Sequence, residues 1–135
     1  MRILSVKEED LCTYTGIFGC LISAVSIIQH IVCYRVFDFV LPAVMLAFYL
    51  LSFISFVALA MQKSFAPILL LVSSSLCLFN AAMALRGPLL SPLIILHFVY
   101  SATLVVVIYM DKLPARLRAK ELAIRAERNE WIDKI

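Results

Sequence analysis

Long apolar stretches broken by short polar segments occupy positions 11–33, 39–61, 66–85 and 89–110. Only after them does the pattern change, to one that mixes charge with regularly spaced Leu, Ile and Trp. Each stretch is about 20 residues or slightly longer, the length a helix needs to cross a hydrocarbon core. Every Lys, Arg, Asp and Glu falls outside the four windows. An inserted backbone must satisfy its N–H and C=O groups internally, and the runs lack the period-2 alternation of a membrane barrel, so helices are the structure they predict. Proline placement agrees. Pro42, Pro67 and Pro92 fall in the first turn of their spans, Pro114 opens the tail, and Pro88 follows Gly87 in a turn. At these positions the missing N–H would have no intrahelical partner anyway. With no proline in mid-span, the helices are expected to be fairly straight.

The expected fold is an all-α membrane protein: an antiparallel bundle of four transmembrane helices followed by a cytosolic amphipathic helix. Positions 1–110 form the four-span membrane domain, and 111–135 form a basic amphipathic cytosolic tail helix. Composition supports this class. Hydrophobic residues make up 64% of the 135 positions and the mean hydropathy is +1.01, values that a soluble domain of this size could not bury. The first stretch is too long for the apolar core of a signal peptide and follows Glu8, Glu9 and Asp10, so it is expected to remain as a span.

Charge sets the orientation, because basic residues beside spans resist translocation. Arg2, Lys7, Lys63 and every basic residue from Lys112 onward lie on one side, and only Arg35 and Arg86 on the other. Both termini and the middle loop are therefore expected in the cytosol, with short turns at 34–38 and 86–88 on the opposite face. Such short connections make consecutive spans antiparallel neighbours. The net charge of +3 sits mostly in the tail and points to membrane lipid as partner rather than nucleic acid.

Without a hydrophobic drive between helices in lipid, close backbone approach through small residues decides which faces meet. Gly16, Cys20 and Ala24 recur every four positions beside Gly19, while Ser73, Cys77 and Ala81 do so in the third stretch. These two faces are expected to pack together, with homodimerisation as the alternative use. The bulkier second and fourth stretches are expected to show more surface to lipid or to a partner. The four cysteines are too few and scattered for a disulfide framework. Cys12, at the cytosolic edge, is a palmitoylation candidate, with a small buried hydrophobe as the other reading.

Polar side chains inside the spans are the only candidates for chemistry. Gln29, His30, Asn80 and His97 lie in one half of the membrane, and Asn80 and His97 differ in depth by roughly 4.5 Å, close enough to meet. They define a candidate polar cluster, read either as interhelical hydrogen bonding or as a proton-sensitive or ligand-binding pocket. No catalytic motif is present: no His-Glu-x-x-His, no Gly-x-Ser-x-Gly, no phosphate-binding glycine loop and no paired intramembrane carboxylates. No enzyme activity, cofactor or metal site is expected, and the Ser73–Ser75 run is expected to bond back to its own backbone.

In the tail, Glu121 precedes Arg125 and Glu130 precedes Lys134 by four residues, the favourable order for helix pairs. Leu117, Ile124 and Trp131 recur every seven residues. Lys112, Arg116, Arg118 and Lys120 follow the last span directly, where each gains about 1 kcal/mol from anionic lipid. Together with Trp131 they are the expected lipid or partner contacts.

Cys12-Thr13-Tyr14-Thr15-Gly16 opens the first stretch, Gln62-Lys63 and Pro67 precede the third, and Val105-Val106-Val107-Ile108-Tyr109 closes the fourth. In these features, over 11–110, the chain resembles small four-span proteins related to the lysosome-associated transmembrane family. The resemblance implies an endosomal or lysosomal membrane and action on the sorting or stability of other membrane proteins. The expected function is thus that of a non-enzymatic accessory or adaptor protein. It would bind a larger membrane protein or complex and assemble, stabilise or sort it in an endomembrane. The alternative is a small homo-oligomeric transporter or channel that uses the polar cluster.

Overall fold

The computed structural model describes residues 6–33, 40–86 and 92–135, and within these it is entirely helical apart from turns. The helices are α1 (Val6–Cys33), α2 (Val40–Ala60), α3 (Ala66–Arg86), α4 (Pro92–Met110) and α5 (Leu113–Asp133). The first four are long and apolar enough to cross a membrane. Pro42, Pro67, Pro92 and Pro114 all lie within the first turn of their helices, as their missing N–H requires. The turn at 34–38, with Arg35 and Asp38, and the turn around Gly87 and Pro88 lie outside the described residues.

The helices pack in cyclic order, α1 on α2, α2 on α3, α3 on α4 and α4 on α1. Neighbours run in opposite senses: Gly16 of α1 lies against Ala60 of α2, while His30, further along α1, reaches Pro42 at the start of α2. Ser55 of α2 likewise bonds Leu69 of α3, and Asn80 bonds back to Met45. This order corrects the expectation that the small faces of α1 and α3 would meet. The α1 glycines pack on α2. A Cβ on Gly16 would lie 2.6 Å from the Ala60 backbone nitrogen, and one on Gly19 would run into the Phe56 ring. The correction has a steric reason: a glycine admits a large ring opposite as readily as a small residue. α2 has two faces: Val40, Leu41, Val44, Leu50 and Ile54 are exposed on one of them. It buries Met45, Tyr49, Ser52, Ser55, Phe56, Ala58 and Leu59 between two neighbours.

At the end where α2 passes to α3, a compact apolar cluster is made by Cys12, Phe56, Leu59, Leu70 and Ile108. Leu113 and Leu117 of α5 complete it, at 7% and 0% exposure. Lys120 of α5 adds an ion pair to Glu9 at 3.3 Å and a hydrogen bond to Gln62 Oε1. A half-exposed ion pair contributes about 0–1 kcal/mol, whereas burying a leucine contributes about 1.5–3 kcal/mol. The two leucines therefore hold α5 down, and Lys120 ties it to α1 and to the turn after α2. Cys12, at 3% exposure, lies beneath them. Its burial there suits the reading of this cysteine as a small hydrophobe.

Two non-glycine residues with left-handed backbone shape this end, Gln62 and Lys112, both with φ of 56°. At the close of α2, Lys63 N–H bonds the Ala58 carbonyl and Gln62 N–H the Leu59 carbonyl, the paired pattern that ends helices when one residue turns left-handed. Glycine usually fills that position, and a side chain there costs about 1–2 kcal/mol. Gln62 uses its side chain: Nε2 donates to the Glu9 carbonyl and Oε1 accepts from Lys120.

Gly16→Ala should lower stability by about 1–3 kcal/mol, because the obstruction is backbone and the helices must part. Gly19→Ala should cost less when paired with Phe56→Leu than alone. Thermal unfolding of purified protein in one fixed detergent measures both, and an unchanged midpoint for Gly16→Ala would contradict the α1–α2 contact.

Candidate functional site

Each membrane-length helix carries one polar stripe at helical spacing: Ser23, Ser26 and His30 on α1; Tyr49, Ser52 and Ser55 on α2; Ser73, Cys77 and Asn80 on α3; His97 and Ser101 on α4. A spacing of three or four residues keeps side chains on one face of a helix. All of these residues are buried. The stripes face the centre of the molecule, leaving Val25, Ile28, Leu50, Ile54, Val72, Leu78, Val99 and Val106 exposed outside.

His97 joins the stripes. Its Nδ1 lies 3.0 Å from Ser26 Oγ, its Nε2 lies 2.8 Å from Ser52 Oγ, and Cys77 Sγ is 3.7 Å from the same nitrogen. One imidazole on α4 thus touches α1, α2 and α3. The Ser26 hydroxyl also lies 2.8 Å from the Ile22 carbonyl; when it donates there, its oxygen accepts from His97 and the ring proton sits on Nδ1. Nε2 is then the acceptor, and the Ser52 hydroxyl donates to it. A neutral imidazole satisfies this whole chain of donors and acceptors. Tyr49 packs on the ring at 5.3 Å between centroids and Phe56 at 6.4 Å, so the bonds are closed on their flanks.

The other predicted residues occupy separate places. His30 Nε2 donates to the Pro42 carbonyl at 2.8 Å, and its ring meets Tyr49 edge-on at 5.6 Å. Asn80 Nδ2 donates to the Met45 carbonyl at 3.2 Å rather than to His97. Gln29 is half-buried one position before His30. Each ties its own helix to a neighbour or lies beside one that does, but only His97 joins four. Ser23 Oγ, Ser101 Oγ and Asn80 Oδ1 are buried without a hydrogen-bond partner among the described residues. Ser73 and Ser75 bond back to the Leu70 and Leu71 carbonyls. Among the described residues no cluster of His, Cys, Asp and Glu could hold a metal.

Ser26 and Ser52, the direct partners of His97, were not singled out from sequence. Their signal was the three-and-four spacing to His30 and Tyr49, which makes each serine one member of a stripe. Of the small-residue positions, Gly16, Gly19 and Cys77 lie buried at helix contacts, while Cys20, Ala24 and Ala81 are half-buried. In the tail Arg116 donates to the Asp111 carbonyl and Lys120 reaches Glu9, while Lys112, Arg118 and Trp131 are exposed. The Glu121–Arg125 pair closes at 2.7 Å, and Lys134 lies over the Trp131 ring at 5.9 Å.

Compared with family models, with curated proteins and with solved structures, the chain matches none.

Interhelical hydrogen bonds in membranes average about 0.6 kcal/mol, with about 1.7 as the upper end. A double-mutant cycle of Ser52→Ala with His97→Leu, read by unfolding in mixed micelles, should give a coupling in that range. Ser75→Ala with His97→Leu should give about zero. A coupling near zero for both would remove the Ser52–His97 bond from the account.

Proposed function

We propose that this chain is a multi-pass membrane protein that works by binding, an accessory or adaptor subunit for a larger membrane protein. In this reading the four helices form an antiparallel transmembrane bundle, both termini face the cytosol, and α5 is its cytosolic arm. The observation that carries the reading is the split character of α5. Its first turns are sunk into the apolar cluster through Leu113 and Leu117, whereas 122–135 are exposed throughout, including Ile124, Trp131 and Ile132. A helix fixed at its base and bare along its length is a presenting element, and exposed aromatic and aliphatic side chains are what a partner's groove recognises. The intramembrane polar groups turn inward and the outer faces are apolar, which suits contact with lipid and with other membrane helices. The asymmetry of Lys and Arg supports the orientation. The resemblance to the lysosome-associated transmembrane family supports an endomembrane setting and a role in sorting or stability.

The second reading, a small homo-oligomeric conduit, is favoured by Ser23 Oγ, Asn80 Oδ1 and Ser101 Oγ, which are buried with no hydrogen-bond partner among the described residues. Water satisfies such atoms where there is room for it.

The protein extracted from native membranes in mild detergent should run as a particle whose protein mass exceeds that of the 15.2 kDa chains it contains and should hold a second polypeptide in fixed ratio. Ile124→Ser with Trp131→Ala should release that polypeptide while leaving helix content unchanged. A particle of this chain alone, with ion or proton flux that disappears in His97→Leu, would replace the adaptor reading with the conduit.

A further inference from the structure

Between the turn that follows α2 and the outer face of α5 lies a cleft of about 370 Å3, lined by Met61, Gln62, Lys63, Lys120, Glu121, Ile124, Arg125 and Arg128. This volume falls within the range of about 300–1,000 Å3 typical of small-molecule sites. Two elements contribute. Lys63 comes from the turn, and Lys120, Ile124 and Arg128 recur every four residues on one face of α5. The walls are tied together: Lys120 bonds Gln62 and Glu9, and Glu121 accepts from Arg125 at 2.7 Å. The Ser64 hydroxyl also bonds Glu121 and, with Arg125 beside it, holds the carboxyl below its usual range, so this group is a fixed anion.

The charges can be assigned group by group. Lys120 is matched by Glu9 and Arg125 by Glu121, and among the described residues Lys63 and Arg128 have no ion-pair partner. Two uncompensated cations thus face one cleft from opposite walls. A phosphomonoester carries about −1.5 to −2 at neutral pH and three acceptor oxygens, which complements that pair, and a guanidinium grips it bidentately. Met61 follows the end of α2 and is 62% exposed, and Ile124 is 48% exposed. The cleft therefore sits level with the ends of the membrane-length helices, where headgroups lie, with apolar side chains on its rim. We propose that it binds the phosphomonoester headgroup of a membrane phospholipid. The inference rests on the reading that α1 to α4 span the membrane.

The test uses the full-length protein in detergent with water-soluble dioctanoyl lipids, so binding does not depend on which way the protein faces a membrane. A failed orientation would appear in mapping of the termini and not here. Dioctanoyl phosphatidylinositol 4,5-bisphosphate should bind measurably tighter than dioctanoyl phosphatidylserine. Each cation beside an anionic headgroup contributes about fivefold, so Lys63→Gln with Arg128→Gln should weaken binding about 25-fold. Lys134→Gln removes one charge near the far end of α5, outside the cleft, and should change affinity less than twofold, against about fivefold for Lys63→Gln or Arg128→Gln alone. The charge-keeping pair Lys63→Arg with Arg128→Lys should bind like the parent, which separates loss of charge from loss of fold. Equal weakening by Lys134→Gln and by either single cleft substitution would mean diffuse attraction and overturn the cleft. Equal affinity for the two lipids would overturn the phosphomonoester. Equally tight binding of free inositol trisphosphate would overturn the lipid as its source.

Discussion

Inside a bilayer no water is available to a polar side chain, so each one must find its partner within the protein. That constraint organises the molecule. Four helices of nearly uniform apolarity offer little to distinguish one face from another, and the hydrophobic effect, which sorts faces in water, does not act between helices in lipid. What sorts them is one polar stripe per helix. His97 has two ring nitrogens pointing in different directions, and it satisfies both only when Ser26 of α1 and Ser52 of α2 are in place, with Cys77 of α3 beside them. The bond is modest in energy but specific in geometry. Displacing any of these helices leaves a buried polar group open.

Close packing then fills the space that the stripes define. Gly16 and Gly19 let α2 approach α1 so that Phe56 is fully buried beside the His97 ring. Tyr100 of α4 donates to the Thr15 carbonyl of α1 at 2.6 Å and stacks edge-on with Phe18. Toward the α5 end the polar stripes give way to the apolar cluster around Leu59, Leu70 and Leu117. Gln62 carries a strained backbone there, and its side chain joins the start of α1 to α5. A left-handed residue persists where its surroundings over-determine it, and these two bonds supply that support.

Much of the fold was legible in sequence because it depends on one-dimensional properties. Length and apolarity gave the four helices to within a few residues, and proline marked the first turns of α2, α3 and α4. α1 is helical through Glu8, Glu9 and Asp10, ahead of the apolar stretch, because acidic side chains suit the first turns of a helix. Which faces meet was less legible. Small-residue stripes on α1 and α3 suggested a direct pairing, but a glycine does not state whether its neighbour is another small residue or a phenylalanine. His97 was recognisable as a buried polar group from sequence, whereas its partners were not. A serine in a membrane helix can always bond its own backbone, as Ser73 and Ser75 do, so its spacing alone does not reveal Ser52 as a partner.

The central claim is that His97 is a structural tie whose proton is fixed by its neighbours. Nitrogen-15 solid-state NMR of histidine-labelled protein in lipid bilayers at neutral pH tests it directly, with His30→Gln assigning the two rings. The account predicts a neutral His97 ring protonated on Nδ1, with Nε2 showing the shift of a hydrogen-bond acceptor. A ring protonated on Nε2 would contradict it, because Ser52 could then no longer donate to that nitrogen, and an imidazolium would contradict the neutral ring.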